Sequence, residues 1–186
     1  MTSVNEQKTS SSKAVRFGAG SPEYNNVLDF LVDEAELLDN FRLDEWLNCL
    51  AEDIHYTVPV RQTRGALDRA ERTGLRTMHY DDNFGTLMFR VKRFTDTKSA
   101  WSEDPRSRTR RLITNLRVSQ GEKADELEVK SYLLITRNRF ESTEVESLTA
   151  ERRDVLRLTG DGIKIARREI IIDMAVLAWP NLSVFL

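Results

Sequence analysis

Arg110-Arg-Leu-Ile-Thr-Asn-Leu-Arg-Val118 and Leu127-Glu-Val-Lys-Ser-Tyr-Leu-Leu-Ile135, joined through a polar stretch around Gly121, decide the fold class. Both follow the two-residue period of a strand. Arg110, Leu112, Thr114, Leu116 and Val118 fall on one face of the first, and Leu127, Val129, Ser131, Leu133 and Ile135 on one face of the second. Gly121 among charged neighbours reads as their turn. Two more strands, over residues 145–158 and 163–176, flank the turn signal Gly160-Asp161-Gly162. In the last strand Ile163, Ile165, Arg167, Glu169 and Ile171 oppose Lys164, Ala166, Arg168 and Ile170.

Upstream the period lengthens. Ser21 caps a helix with Pro22 at its first position, and Tyr24, Val27, Leu28, Leu31, Ala35 and Leu38 recur every three or four residues. A shorter helix follows Asp44 and turns Trp46, Leu47 and Leu50 inward; Ile54 to Val60 is then a strand, with Pro59 suited to an edge or a strand end. Residues 61–80 are polar and basic without a period and read as an excursion loop. From Asp81 to Phe94 the spacing of Phe84, Leu87, Met88 and Val91 predicts a third helix, capped by Asp81 or Asp82. Helices first and long strands afterwards predict an α+β fold, with a bent, mainly antiparallel sheet covered by the N-terminal helices. Residues 1–20, rich in Ser, Thr, Lys and Gly, read as a polar flexible arm, and 21–186 as a single domain. The apolar end, with Trp179, Leu182, Val184, Phe185 and Leu186, must dock, either as a last strand of its own sheet or at a subunit interface.

A chain of 186 residues with 40% hydrophobic content is long enough to bury a sizeable core. Its net charge of −2 gives no field that would draw the whole molecule to nucleic acid or a membrane surface. There is no signal-peptide core and no apolar run of membrane-spanning length, and the single cysteine, Cys49, has no intrachain partner; a cytoplasmic setting is expected.

The metal ligands are few. A Rieske cluster needs two Cys and two His, and a mononuclear non-haem iron site commonly two His and a carboxylate. One Cys and two His exclude a Rieske cluster, His55 and His79 could at best form a fraction of one iron site, and no Cys-x-x-Cys or helical His pair supports zinc. No catalytic, cofactor or metal residue is therefore assigned. One metal-free chemistry stays open: His55 or His79, beside Tyr56, Tyr80, Asp81 and Asp82, as the general base of a dehydratase or isomerase.

Arg106, Arg108, Arg110 and Arg111 form the densest basic cluster. Arg108 and Arg110 point one way along a strand and Arg111 the other, and no aromatic residues are interleaved for base stacking, so nucleic acid is not the expected partner. Trp101 beside Arg106, Arg108 and Arg110 has instead the composition of a protein interface.

Trp101-Ser-Glu-Asp-Pro-Arg-Ser-Arg-Thr-Arg-Arg-Leu-Ile-Thr-Asn115 resembles a segment of the small, or β, subunits of bacterial ring-hydroxylating dioxygenases. Asp33-Glu-Ala-Glu-Leu-Leu-Asp39, Asp53-Ile-His-Tyr-Thr-Val-Pro59, Arg137-Asn-Arg139, Glu151-Arg-Arg-Asp-Val-Leu-Arg157, Ile165-Ala-Arg-Arg168, Ile172-Asp173 and Asn181-Leu-Ser183 resemble that family in the same order, nearest its biphenyl and alkylbenzene branch. Arg106 stands where a second Pro is usual and Ala150 where Gly is usual. The resemblance implies a cone-like fold similar to nuclear transport factor 2 and scytalone dehydratase. It implies a non-catalytic role in a hexamer of three α and three β subunits. The α subunit would carry the Rieske [2Fe-2S] cluster and mononuclear Fe(II), and the complex would convert an aromatic hydrocarbon, dioxygen and NADH-derived electrons to a cis-dihydrodiol.

Overall fold

A computed structural model describes residues 15–61, 73–96, 106–139, 142–175, 179 and 184–186, with the side chains of 73–76 left aside. Seven strands form one sheet: β1 (Arg16–Phe17), β2 (Leu50–Arg61), β3 (Thr73–Asp82), β4 (Arg108–Gln120), β5 (Glu126–Asn138), β6 (Glu146–Thr159) and β7 (Gly162–Ile172). Their spatial order is β1-β4-β5-β6-β7-β2-β3; β2 pairs with β7 in parallel and every other pair is antiparallel. Helices α1 (Pro22–Asp39), α2 (Leu43–Trp46) and α3 (Phe84–Thr95) accompany it, and a 3-10 turn, Leu47–Cys49, leads into β2.

The expected start of α1 is present: Ser21 accepts a hydrogen bond from the Tyr24 N–H, and Pro22 fills the first turn, where its missing N–H costs nothing. Val27, Leu31, Ala35 and Leu38 are buried along one stripe. Glu34 lies on that stripe too and is fully buried. The end of α1 closes in a Schellman arrangement, in which Phe41 N–H donates to Leu38 O and Arg42 N–H to Leu37 O. Its left-handed position is held by Phe41 at φ 58°, where glycine is usual.

One row of side chains crosses the inner face of five strands: Val118, Val129, Asp154, Arg168 and Tyr56 are paired in register and all buried. The row beside it, Arg117, Lys130, Arg153 and Glu169, lies on the outer face. The β4–β5 turn requires Gly121, whose added Cβ would lie 2.8 Å from Glu126 O. Gly162 holds φ 114° at the β6–β7 turn.

Several expectations need correction. The alternation in β4 breaks at Asn115, left-handed at φ 53°, where Asn115 and Leu116 together oppose the single residue between Thr114↔Tyr132 and Arg117↔Lys130. The extra residue flips the parity, so Leu112 stays 46% exposed while Val118 is buried. A second irregularity, where Val155 pairs Arg167 but Leu156 pairs Ile165, leaves Ala166 unmatched and puts Ile165 and Arg168 both in the core. Part of the expected loop over 61–80 is β3, paired to β2; a polar sequence hid an edge strand. Asp81 and Asp82 end that strand, and α3 is capped by Asn83 in a reciprocal box with Thr86. Of the expected arm, Arg16–Phe17 pair with β4 at the sheet edge.

The described C-terminal residues, 179 and 184–186, lie in no strand. Val184, Phe185 and Leu186 are buried, with Phe185 against Trp46 at 4.5 Å between ring centroids. Tyr56 Oη accepts from the Leu186 N–H at 3.0 Å and donates to the Leu186 carbonyl at 3.2 Å.

Candidate functional site

The metal-free alternative fails on placement. His55 Nε2 lies 2.9 Å from Asp81 Oδ1, but both side chains are exposed, at 59% and 62%, and lie at the surface outside any enclosed cavity of the described residues. His79 is on β3, half-buried. Cys49 serves no better as a nucleophile: burial, then the nearby Glu34 carboxylate, pushes its thiol up to about 11. Among the described residues no three His, Cys, Asp or Glu side chains converge as metal ligands.

Where a catalytic cavity would be sought, between α1 and the sheet, there is a closed ion cluster. Arg168 donates to both oxygens of Asp154, at 2.9 and 3.0 Å, and to both oxygens of Glu34. Trp46 Nε1 donates to Glu34 Oε1 at 3.1 Å. Burial alone would raise the Glu34 carboxyl, but Arg168 and then Arg152 outweigh it and hold the group down at about 2. The same two carboxylates raise Arg168 despite its burial. Arg152 is held less well, 3.7 Å from Glu34 and 3.8 Å from Asp154, with Nε and Nη2 lacking hydrogen-bond partners. Its burial and the like charge of Arg168 lower its proton affinity.

A second arginine site opens at the surface, where the end of α1 meets the start of β4. A pocket of about 320 Å³ has Leu43, Phe94 and Phe185 among its walls and four arginines, Arg106, Arg108, Arg110 and Arg111, against one carboxylate, Asp39. That carboxylate is already taken: it accepts from Arg111 Nη1, from the Arg111 backbone N–H at 2.9 Å and from Thr109 at 3.1 Å. Arg111 Nη2 also donates to Phe185 O at 2.6 Å, which ties the C-terminal segment to the pocket base, while its Nε has no acceptor. The Arg106 guanidinium lies 4.0 Å above the Phe41 ring, and Phe41 packs edge-on against Phe94 at 6.2 Å. Arg106 and Arg110 are exposed and form no ion pair among the described residues; Arg108 bonds Asn138.

The structure thus gathers Arg106, Arg108 and Arg110 at one mouth and turns Arg111 inward, as alternation requires. Trp101 lies outside the described residues. Sequence reasoning missed Asp39 and Phe41 as parts of this mouth. It also missed the Glu34 cluster, although a Glu three residues from Leu31 on the buried stripe was the available signal.

A bent sheet with helices across one face defines the cone-like α+β class, and solved structures bear this out. A scytalone dehydratase-like protein from Novosphingobium aromaticivorans shares the fold alone, at TM-score 0.59 and 13% identity over 82% of this chain and 85% of its own. The structure of naphthalene 1,2-dioxygenase with indole bound superposes at TM-score 0.81 and 27% identity, covering 92% of this chain and 90% of that one. Residues 33–178 match the ring hydroxylating beta subunit family, and the chain belongs to it. It is 41% identical to the biphenyl 2,3-dioxygenase β subunit of Rhodococcus jostii, over 87% of each chain, and 40% identical to a benzene 1,2-dioxygenase β subunit of Pseudomonas putida, again over 87% of each. The protein is a β subunit of a ring-hydroxylating dioxygenase, an oxidoreductase component, and the dehydratase alternative falls.

Proposed function

We propose that this chain is the non-catalytic assembly subunit of a dioxygenase acting on biphenyl- or alkylbenzene-like hydrocarbons in the cytoplasm. The α subunit supplies the Rieske cluster and mononuclear Fe(II), and three copies of each chain make the complex. That complex adds both atoms of dioxygen to the ring, with electrons from NADH, to give a cis-dihydrodiol.

One observation carries the reading: the interior that holds the active site in a catalytic cone is filled here by an ion cluster whose two carboxylates are both bound by Arg168, and by Trp46, Phe185 and Leu186. A site with its carboxylates locked to arginine has no free base to offer. Family membership supplies the α partner, and the donor set of one Cys and two His does not fit a Rieske cluster. The subunit contact includes Arg106, Arg108 and Arg110, together with Trp101.

Co-expression with the large subunit, followed by mass and iron determination, tests this. An equimolar iron-bearing complex that oxidises an aromatic, beside an iron-free and inactive isolated chain, is the expected result. Turnover of an aromatic, or stoichiometric iron, on the isolated chain would defeat it.

A further inference from the structure

Among the described residues that line the arginine mouth the one carboxylate, Asp39, is already bound to Arg111, yet an exposed acidic face exists elsewhere on the same chain. On α1, Asp29, Val32, Asp33 and Glu36 occupy positions one turn apart and two turns apart, and all are exposed. Val32 is 53% exposed. None of the three carboxylates is ion-paired among the described residues, and no basic residue follows in the last turn of the helix. Another large exposed apolar side chain on a helix, Phe89, sits among Arg90, Lys92 and Arg93, and would meet the mouth with like charge.

We infer that the pocket at Phe41 and Arg106 receives the acidic face of α1 from a second copy of this chain, with Val32 entering the apolar mouth and Asp33 and Glu36 meeting Arg106 and Arg110. This rests on the assembly role proposed above and names the surfaces that meet within it. The contact is heterologous: a helix face on one copy fits a pocket on the next, so each copy has one of each to offer and a closed ring satisfies them all. Two features of the mouth fit such an occupant. Arg106 and Arg110 are exposed and form no ion pair among the described residues, while Asp39 is consumed by Arg111. Guanidinium forks match carboxylates in two-point contacts.

The test is charge reversal on each side and on both, read by sedimentation of the isolated full chain and of its complex with the large subunit. Arg106→Glu/Arg110→Glu and Asp33→Arg/Glu36→Arg are each expected to weaken self-association by about tenfold or more, and raised salt is expected to weaken the wild type. The chain carrying all four changes regains most of the loss, because the charges are again opposite. Arg110→Glu alone, away from the Phe41 ring, guards against a folding defect, and Arg117→Glu/Arg167→Glu on the outer sheet face controls for net charge. The inference is overturned if folded variants associate like wild type, if the fourfold variant is no better than either half, or if the outer-face control is equally damaging. A wild type that stays monomeric up to about 100 μM, alone and in the complex, overturns it as well. Charge-dependent self-association without any binding to the large subunit would leave this inference standing and remove the assembly reading instead.

Discussion

The interior around Glu34 and the mouth around Arg106 use the same residue type for opposite ends. Inside, Arg168 spends its donors on two carboxylates of its own chain, and Arg152, less well held, is buried beside the same pair. At the mouth, Arg106 and Arg110 stand exposed without an ion pair among the described residues, and Asp39, the one carboxylate among the described lining residues, already serves Arg111. Buried, closed ion pairs fix a fold, because breaking one leaves a charge without solvent or partner. Exposed, open arginines contribute little to that fold and keep their charge for contact with another surface.

Arg168→Met should separate the two regions most sharply. It strands two buried carboxylates and should cost about 3 to 5 kcal/mol in urea unfolding of the isolated chain. Arg152→Met removes a guanidinium that sits farther from the same carboxylates and lacks two partners, so its cost should be smaller by more than about 1 kcal/mol. Equal losses would mean that the cluster acts only through net charge.

Acid should act on the interior in a defined window. The Glu34 carboxyl is lowered from 4.5 to about 2 in the fold, so its contribution is complete above the unfolded value and is lost as pH falls through that interval. The slope is at most about 1.4 kcal/mol per pH unit for one proton. Glu34→Gln should flatten that part of the stability profile while lowering stability at neutral pH; an unchanged acid limb would show that other carboxylates dominate.

Smaller effects belong to the mouth. Phe41→Gly and Phe41→Ala lose the same ring, but glycine relieves the left-handed backbone, so the glycine variant should be the more stable by about 1 kcal/mol. Arg110→Glu should change the stability of the isolated chain by less than about 0.5 kcal/mol, while weakening its association. A large folding loss there would erase the distinction between the regions.

Sequence periodicity revealed most strands and the start of α1, because alternation and capping are local. Two bulges defeated it: Asn115 and Ala166 each add one residue, and beyond them inward and outward exchange places. The strand Thr73–Asp82 was hidden because an edge strand tolerates a polar, basic composition. Of the mouth, the arginines were visible as a cluster and their division between two faces followed from strand period. Asp39 and Phe41 were not, since they reach the pocket across about 70 residues of chain, in contacts such as Arg111 with Asp39. The partners of Glu34 were likewise illegible, with 134 residues separating it from Arg168.

Hydrogen exchange of the chain diluted to its monomer and of the assembled dioxygenase, compared peptide by peptide, tests the division most directly. Assembly should slow exchange over residues 29–43 and 106–110 and leave the strands bearing Asp154 and Arg168 unchanged, already protected by the fold. Protection that bypasses 106–110, or that appears chiefly in the interior strands, would contradict it.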